Sequence, residues 1–112
     1  MLVYKILRDD EFAAFMEAGE TAGAPVDLAD GYIHLSSGDQ VGDTLAKHFH
    51  GERHLVLLAV ETDGLGEALR WEVSRGDALF PHLYRSLRRG DVLWHKSLVP
   101  SDHPSGFEPF WE

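Results

Sequence analysis

The uninterrupted apolar run from Leu55 to Val60 constrains the fold more than any other feature of the chain. Polar and charged residues bound the run on both sides, which is typical of a strand buried within a sheet. We therefore predict a buried strand over His54 to Glu61. The run is far too short to cross a bilayer, which takes roughly 20 apolar residues in a helix.

The order of the predicted elements is typical of an α+β domain. Short segments with strand-like composition lie at 2–7, 32–35, 54–61, 69–74 and 92–98. Two helices are predicted between the first three strands, over 9–18 and from about 38 to 50. Because helical crossovers are missing late in the chain, we expect two helices packed on a curved, mainly antiparallel sheet.

Two further segments are predicted to be irregular. Residues 20–30 are interpreted as a loop because they contain Gly23 and Pro25. In the aromatic stretch 80–85, Pro81 argues against a regular central strand, because proline lacks the backbone N–H that a sheet requires.

The chain has no apparent repeat, linker or second domain, so we expect residues 1–112 to form one domain with a tail over 98–112. The tail contains the aromatic residues Phe107, Phe110 and Trp111. Exposed aromatic residues often mark contact surfaces, whereas buried ones would show that the tail folds back onto the domain. Both alternatives stay open at this point.

Composition narrows the classes of function. The net charge of −9 disfavours non-specific binding to nucleic acid or to anionic membranes, although Arg85, Arg88 and Arg89 can form a local basic patch. The absence of cysteine removes disulfides, thiolate metal sites and thiol nucleophiles. No signal-peptide pattern is apparent at the N-terminus, so a cytoplasmic protein is expected. The oligomeric state is not predicted.

The segment from Asp30 to Ser37 is the strongest functional candidate. Strand alternation places Tyr32 and His34 on one face. Ser37 and Gln40 have the spacing of a capping box, and the N-terminus of the following helix would offer free N–H groups to a phosphate or carboxylate. From spacing alone, a ligand-binding His34 and a histidine that satisfies only its own loop are equally supported.

Three residues on later elements are further candidates. Glu72 can act as a general base or accept hydrogen bonds from sugar hydroxyls, although strand alternation alone favours a solvent-facing glutamate. His82 and Tyr84 can line a pocket by stacking or by donating hydrogen bonds. Their neighbours Phe80 and Leu83 are predicted to close the core.

No metal site and no hydrolase or nucleotide-triphosphatase motif is predicted. His48 and His50 point to different sides of a helix, and Gly51 separates them from His54. The nucleophile-elbow, Walker, dinucleotide-binding and His-Glu-x-x-His patterns are all missing from the sequence.

Several motifs in register resemble the small bacterial and plant family DUF952, over about residues 2–98. The motifs are Asp30–Ser36, Gln40 with Thr44–Ala46, Leu55–Leu58, Leu69–Glu72 and Phe80–Tyr84. The resemblance implies an α+β domain similar to the ADP-ribosyltransferase fold, which NAD-using transferases and RNA 2′-phosphotransferases share. NAD is the cofactor that it implies.

The resemblance also assigns roles to residues. A histidine or arginine of the first strand contacts the NAD ribose in such transferases, and His34 with Ser36 looks like this position. The aromatic residue that stacks on nicotinamide would be Tyr84 or Trp71, and the carboxylate that stabilises the oxocarbenium-like state would be Glu72.

These observations leave three classes of function. The first is NAD-dependent glycosyl transfer or hydrolysis, with His34 and Glu72 as catalytic residues. The second is a non-catalytic domain that binds a nucleotide or sugar, and the third is a protein-interaction module. The predicted ligand-binding residues are Tyr32, Ser36, Trp71, His82 and Tyr84.

Overall fold

The computed structural model describes the backbone of residues 1–112 and every side chain except that of Arg75. The strands are β1 (Leu2–Arg8), β2 (Glu20–Thr21), β3 (Ile33–His34), β4 (Ser36–Ser37), β5 (Leu55–Glu61), β6 (Leu69–Val73), β7 (Leu79–Leu83), β8 (Leu87–Arg88) and β9 (Val92–Ser97). The helices are α1 (Asp9–Ala18), α2 (Pro25–Asp30) and α3 (Val41–His48).

The predicted buried strand forms the centre of the larger sheet. This antiparallel sheet has the order β4-β1-β5-β9, and six of the seven residues of β5 are buried. Because successive side chains of a strand point to opposite faces, the continuous apolar run supplies both sides of the sheet. One face packs with Phe15 of α1, and the other packs with Val41 and Leu45 of α3.

A second antiparallel sheet, in the order β3-β7-β6, lies beside the first. The predicted strand over 32–35 divides between the two sheets: Ile33 and His34 pair with β7, whereas Ser36 and Ser37 pair with β1. His34 therefore lies where the chain passes from one sheet to the other. A short β2–β8 pair completes the strands.

The α+β prediction is confirmed, but the structure contains a third helix. Helix α2 lies within the segment predicted as a loop. Pro25 occupies its first turn, and Gly31 ends it with a φ of +85°, a conformation that glycine adopts without strain. Its apolar residues Val26 and Leu28 are 57% and 61% exposed, so the helix carries no buried apolar stripe that periodicity would detect.

Helix α3 begins later than predicted. The side-chain oxygen of Gln40 accepts a 3.0 Å hydrogen bond from the backbone N–H of Ser37, as the capping-box spacing predicts. Residues 38–40 form a turn, however, and the helix starts only at Val41. No helix in the described part of the chain is long and apolar enough to cross a bilayer.

The prediction for Pro81 was wrong, because β7 is the central strand of the second sheet. The carbonyl of Pro81 accepts a 3.0 Å hydrogen bond from the N–H of Leu35. The backbone nitrogen and carbonyl of a strand residue point towards the same neighbouring strand, so an N–H at Pro81 would point towards β3 and away from β6. At this position β3 has already ended, at His34. The pairing with β6 therefore loses no hydrogen bond.

The C-terminal tail folds back onto the larger sheet. Phe107 and Trp111 are buried in the core on the α3 side, and Phe110 packs partly against the same core. Of the two alternatives for the tail, the structure supports folding back for these aromatic residues.

Replacing Phe107 with alanine is expected to lower the free energy of unfolding by about 3 kcal/mol or more, because a buried aromatic side chain leaves a cavity. Chemical denaturation measures this loss. The control is Leu93→Ala, which removes a side chain that is 63% exposed. Equal stability losses in the two variants would contradict the folded-back tail.

Candidate functional site

Asp27 is the buried centre of the candidate site. Its Oδ2 accepts hydrogen bonds from Lys5 Nζ at 2.7 Å and from the Ala24 N–H at 2.8 Å. Its Oδ1 accepts from the backbone N–H of His34 at 3.0 Å and lies 2.6 Å from His34 Nδ1. A carboxylate only accepts hydrogen bonds, so His34 carries a proton on Nδ1.

The ion pair with Lys5 keeps this carboxylate charged. Burial opposes the ionised form of Asp27, but the charge and hydrogen bond of Lys5 and the bonds from His34 outweigh it, so the pKa of Asp27 lies below its ordinary value. Lys5 Nζ also donates to the backbone carbonyl of His34 at 3.1 Å. The pair therefore joins β1, α2 and β3.

The sequence contains a signal for this buried ion pair in addition to the motifs described above. Lys5 stands between Val3 and Leu7 on the face of β1 that packs into the core. A charged residue at such a position requires a partner, because an unpaired buried charge is costly. The partner, Asp27, lies on the unpredicted helix α2.

His34 lies between two carboxylates and two aromatic rings. Its Nε2 is 3.0 Å from Oδ2 of Asp30, one helical turn after Asp27. Its ring centroid is 4.7 Å from that of Tyr32 and 5.4 Å from that of His82. The pairing of β3 with β7 sets His34 directly opposite His82.

A second imidazole–carboxylate pair lies next to the first. His82 Nδ1 is 2.9 Å from Oε1 of Glu72, and the hydroxyl of Tyr84 donates to the same oxygen at 2.6 Å. The bonds from Tyr84 and His82 lower the pKa of Glu72, and the bond to Glu72 raises the pKa of Tyr84. The side chain of His82 is only 3% exposed.

Tyr32 covers this second pair. Its ring stacks on His82 with 4.2 Å between centroids and lies 5.2 Å from the ring of Tyr84. Burial, followed by the charges of Asp30 and Glu72, raises the pKa of Tyr32. The sequence prediction that Tyr32 and His34 share a face agrees with this arrangement.

A cavity of about 610 Å³ opens beside the two histidines. Its polar lining includes Lys5, Asp27, His34, His82, Ser36 and Thr44. The hydroxyls of Ser36 and Thr44 are 3.1 Å apart. Small-molecule sites typically measure about 300–1,000 Å³ and combine apolar walls with a few polar groups. The apolar wall includes Tyr4, Ile6, Phe49 and Phe80.

The predicted site residues fall into three groups. His34, Ser36 and His82 line the cavity, whereas Tyr32, Glu72 and Tyr84 pack around His82 without appearing in its lining. Trp71 is the neighbour of Glu72 on β6 and pairs with Pro81 on β7. It therefore lies on the opposite face of the sheet, and the structure does not bring it to the other predicted residues.

Comparisons with known proteins identify the family. The family described as "Protein of unknown function (DUF952)" matches residues 6–95, more than half of the chain, and the chain belongs to it. No curated protein matches the chain.

Solved structures of one bacterial protein are similar over nearly the whole length. A crystal structure of CC0527 from Caulobacter crescentus is 49% identical, with a TM-score of 0.90, and the match covers 96% of this chain and 94% of that one. A solution NMR structure of the same protein is 50% identical, with a TM-score of 0.83, and covers 95% and 90%.

Substituting Asp27 with asparagine is expected to cost about 3–5 kcal/mol at neutral pH, because the buried ammonium of Lys5 loses its charged partner. The folded-state pKa of Asp27 is lowered, so its contribution is complete above the ordinary value of 3.8 and is lost as the pH falls through the lower folded value. The stability difference between wild type and Asp27→Asn should therefore shrink only in acid.

Chemical denaturation across a pH series measures this difference. The control is Glu52→Gln, which breaks the partly exposed pair with Arg8 and should cost no more than about 1 kcal/mol. A difference for Asp27→Asn that stays constant into strong acid would contradict the charged pair.

Proposed function

We propose that this member of the DUF952 family binds a small molecule in the cavity lined by β1, β3, β7 and α3. The observation that carries the proposal is the pair of imidazoles, His34 and His82, which line one cavity while each holds a carboxylate at Nδ1. A carboxylate at one ring nitrogen fixes the orientation of each ring, and the second nitrogen of His34 lies 3.0 Å from Oδ2 of Asp30. This arrangement suits ligand recognition.

The described lining offers no unpaired carboxylate to a cationic ligand. Lys5 and Arg8 carry its permanent positive charges, and Asp27 is the only carboxylate among its described residues. Lys5 is paired with Asp27, and Arg8 is paired with Glu52 outside the lining. Tyr4, Phe49 and Phe80 offer apolar surface on which a flat ring can pack.

We propose a nucleotide of the NAD type as the ligand. The ADP-ribosyltransferase-like fold that the sequence motifs imply favours this class, and the cavity volume of about 610 Å³ fits at least the nucleoside part of such a molecule. In this proposal His34 contacts the ribose. Ser36 offers a hydroxyl on the same wall.

A second candidate function is cleavage of the bond between nicotinamide and ribose. The observation that favours it is Glu72: Oε1 is occupied by Tyr84 and His82, while Oε2 has no hydrogen bond within the described part of the chain. In the hydrolytic form, the C1′–N bond breaks, water supplies the oxygen of the new C1′–O bond, and nicotinamide and one proton leave. Because Glu72 lies outside the cavity lining, beside His82 and Tyr84, this function requires the nicotinamide–ribose bond to lie at Tyr84, where Glu72 would stabilise positive charge at C1′.

Binding is tested by thermal denaturation with NAD and with ADP-ribose. At a ligand concentration of about 100 times Kd, binding adds about 2.7 kcal/mol of stability, which raises the melting temperature. His34→Ala should abolish this rise, whereas Trp71→Ala, on the opposite sheet face, should preserve it. If neither nucleotide shifts the melting temperature of the wild type at millimolar concentration, the proposed ligand class is wrong.

Catalysis is tested by measuring nicotinamide released from NAD by purified protein. Glu72→Gln should lower the rate by at least about tenfold, because the neutral amide stabilises developing positive charge poorly. Glu67→Gln, at an exposed position in a turn, is the matched control and should leave the rate unchanged. Binding of NAD without any nicotinamide release would favour the non-catalytic function.

A further inference from the structure

Strand β6 forms one edge of the second sheet, and its pairing with β7 determines which of its backbone groups face outward. At one end the carbonyl of Ala68 accepts a 2.7 Å hydrogen bond from the N–H of Tyr84, and at the other the N–H of Ser74 donates to the carbonyl of Ala78 at 2.9 Å. Hydrogen-bonded positions alternate along an antiparallel pair. The backbone groups of the even-numbered residues of β6 therefore face β7, and those of the odd-numbered residues face away from the sheet.

The outward-facing backbone groups belong to Leu69, Trp71 and Val73. The N–H of Leu69 is used within the chain, since it donates to the carbonyl of Gly66. The carbonyl of Leu69 and both backbone groups of Trp71 and Val73 have no backbone hydrogen bond in the described part of the chain. A row of free donors and acceptors along a sheet edge is a template on which another strand can pair.

Apolar side chains are exposed along the same edge. Trp71 and Val73 lie on one face of β6 and are 38% and 66% exposed. Leu79, which pairs with Val73 from β7, is 52% exposed. Exposed apolar side chains that adjoin one another often mark a contact surface, and here they adjoin a free sheet edge.

We propose that β6 pairs antiparallel with β6 of a second copy of this chain, with a twofold axis at Trp71. In this register Trp71 lies opposite Trp71 of the second copy, and Leu69 lies opposite Val73 of the second copy. The two Trp71 residues exchange their N–H···O bonds, and the N–H of each Val73 donates to the facing carbonyl of Leu69. The two second sheets then form one continuous antiparallel sheet. This interaction is independent of the proposed ligand.

The charges of β6 favour a second copy as the partner and select this register. Arg70 is exposed and Glu72 is half-buried, and the twofold axis sets each Arg70 opposite Glu72 of the other copy. Opposite charges that face each other across a strand pair stabilise it, whereas like charges destabilise it. The neighbouring registers that the backbone also allows would set Arg70 against Arg70, or Glu72 against Glu72. The sequence of β6 is therefore complementary to itself when the axis lies at Trp71.

The corresponding edge of the larger sheet lacks this complementarity. Strand β9 forms that edge and contains Lys96 but no carboxylate, so a second β9 would bring no opposite charges together. Its pairing with β5 also shifts between Ala59 and Val60. Lysine residues and irregular pairing are features that discourage pairing at an edge. The edges β3 and β4 are strands of only two residues.

Analytical ultracentrifugation over a concentration series tests the pairing, and the wild type should form a reversible dimer. Arg70→Glu and Glu72→Lys should each raise the dissociation constant of the dimer at least about tenfold, because each sets like charges opposite each other twice. An equimolar mixture of the two variants should dimerise about as tightly as the wild type, since the two introduced charges then face each other. The control is Arg53→Glu, at an exposed position outside the strands, which should keep the wild-type constant.

A wild type that stays monomeric at every concentration would overturn the proposal. A dimer that neither charge reversal weakens would also overturn it, as would a mixture that fails to restore the dimer although circular dichroism shows both variants to be folded.

Amide hydrogen exchange of the wild type provides a second measurement, which does not depend on the folding of any variant. The N–H groups of Trp71 and Val73 should become protected as the protein concentration rises. Those of Arg70 and Glu72 face β7, so their protection should not depend on concentration. Exchange at Trp71 and Val73 that is independent of concentration would overturn pairing through β6, even if a dimer forms through another surface.

Discussion

The site depends on the hydrogen bonds that the buried carboxylate of Asp27 accepts. It receives four hydrogen bonds from three different elements of the chain: the lysine of β1, the residue before α2, and the backbone and side chain of His34 on β3. Gly23 is required nearby, because a side chain there would overlap that of Asp27. The interaction orders a short helix with little apolar burial and orients the imidazole that faces the cavity.

The two histidines show how strand pairing builds a site from distant parts of a chain. His34 and His82 are direct partners in the β3–β7 register, and each has a carboxylate at Nδ1. They differ in the other nitrogen: Nε2 of His34 lies near Asp30, whereas Nε2 of His82 has no partner among the described residues. His34 therefore has a carboxylate at both ring nitrogens, whereas His82 has one at Nδ1 only.

Local patterns predicted the parts of the fold that depend on apolar burial. The run over Leu55–Val60 and the apolar face of α1 identify a strand and a helix because their periodicity follows directly from burial. Helix α2 escaped prediction because its apolar residues are exposed and its stability depends on Asp27, a tertiary contact. The prediction at Pro81 was wrong because β7 accommodates a proline where β3 has ended, and the local sequence does not show where that is. The convergence of His34 with His82 depends on register in the same way, whereas the inward-facing Lys5 was a usable signal for a buried partner.

Carboxylates hold the Nδ1 protons of both histidines and thereby fix the orientation of the two rings. Long-range ¹H–¹⁵N NMR of the ligand-free protein tests this most directly, because it distinguishes protonated from unprotonated ring nitrogens. We expect protonated Nδ1 atoms on both His34 and His82, and an unprotonated Nε2 on the neutral ring of His82. A protonated Nε2 with an unprotonated Nδ1 on either histidine would contradict it.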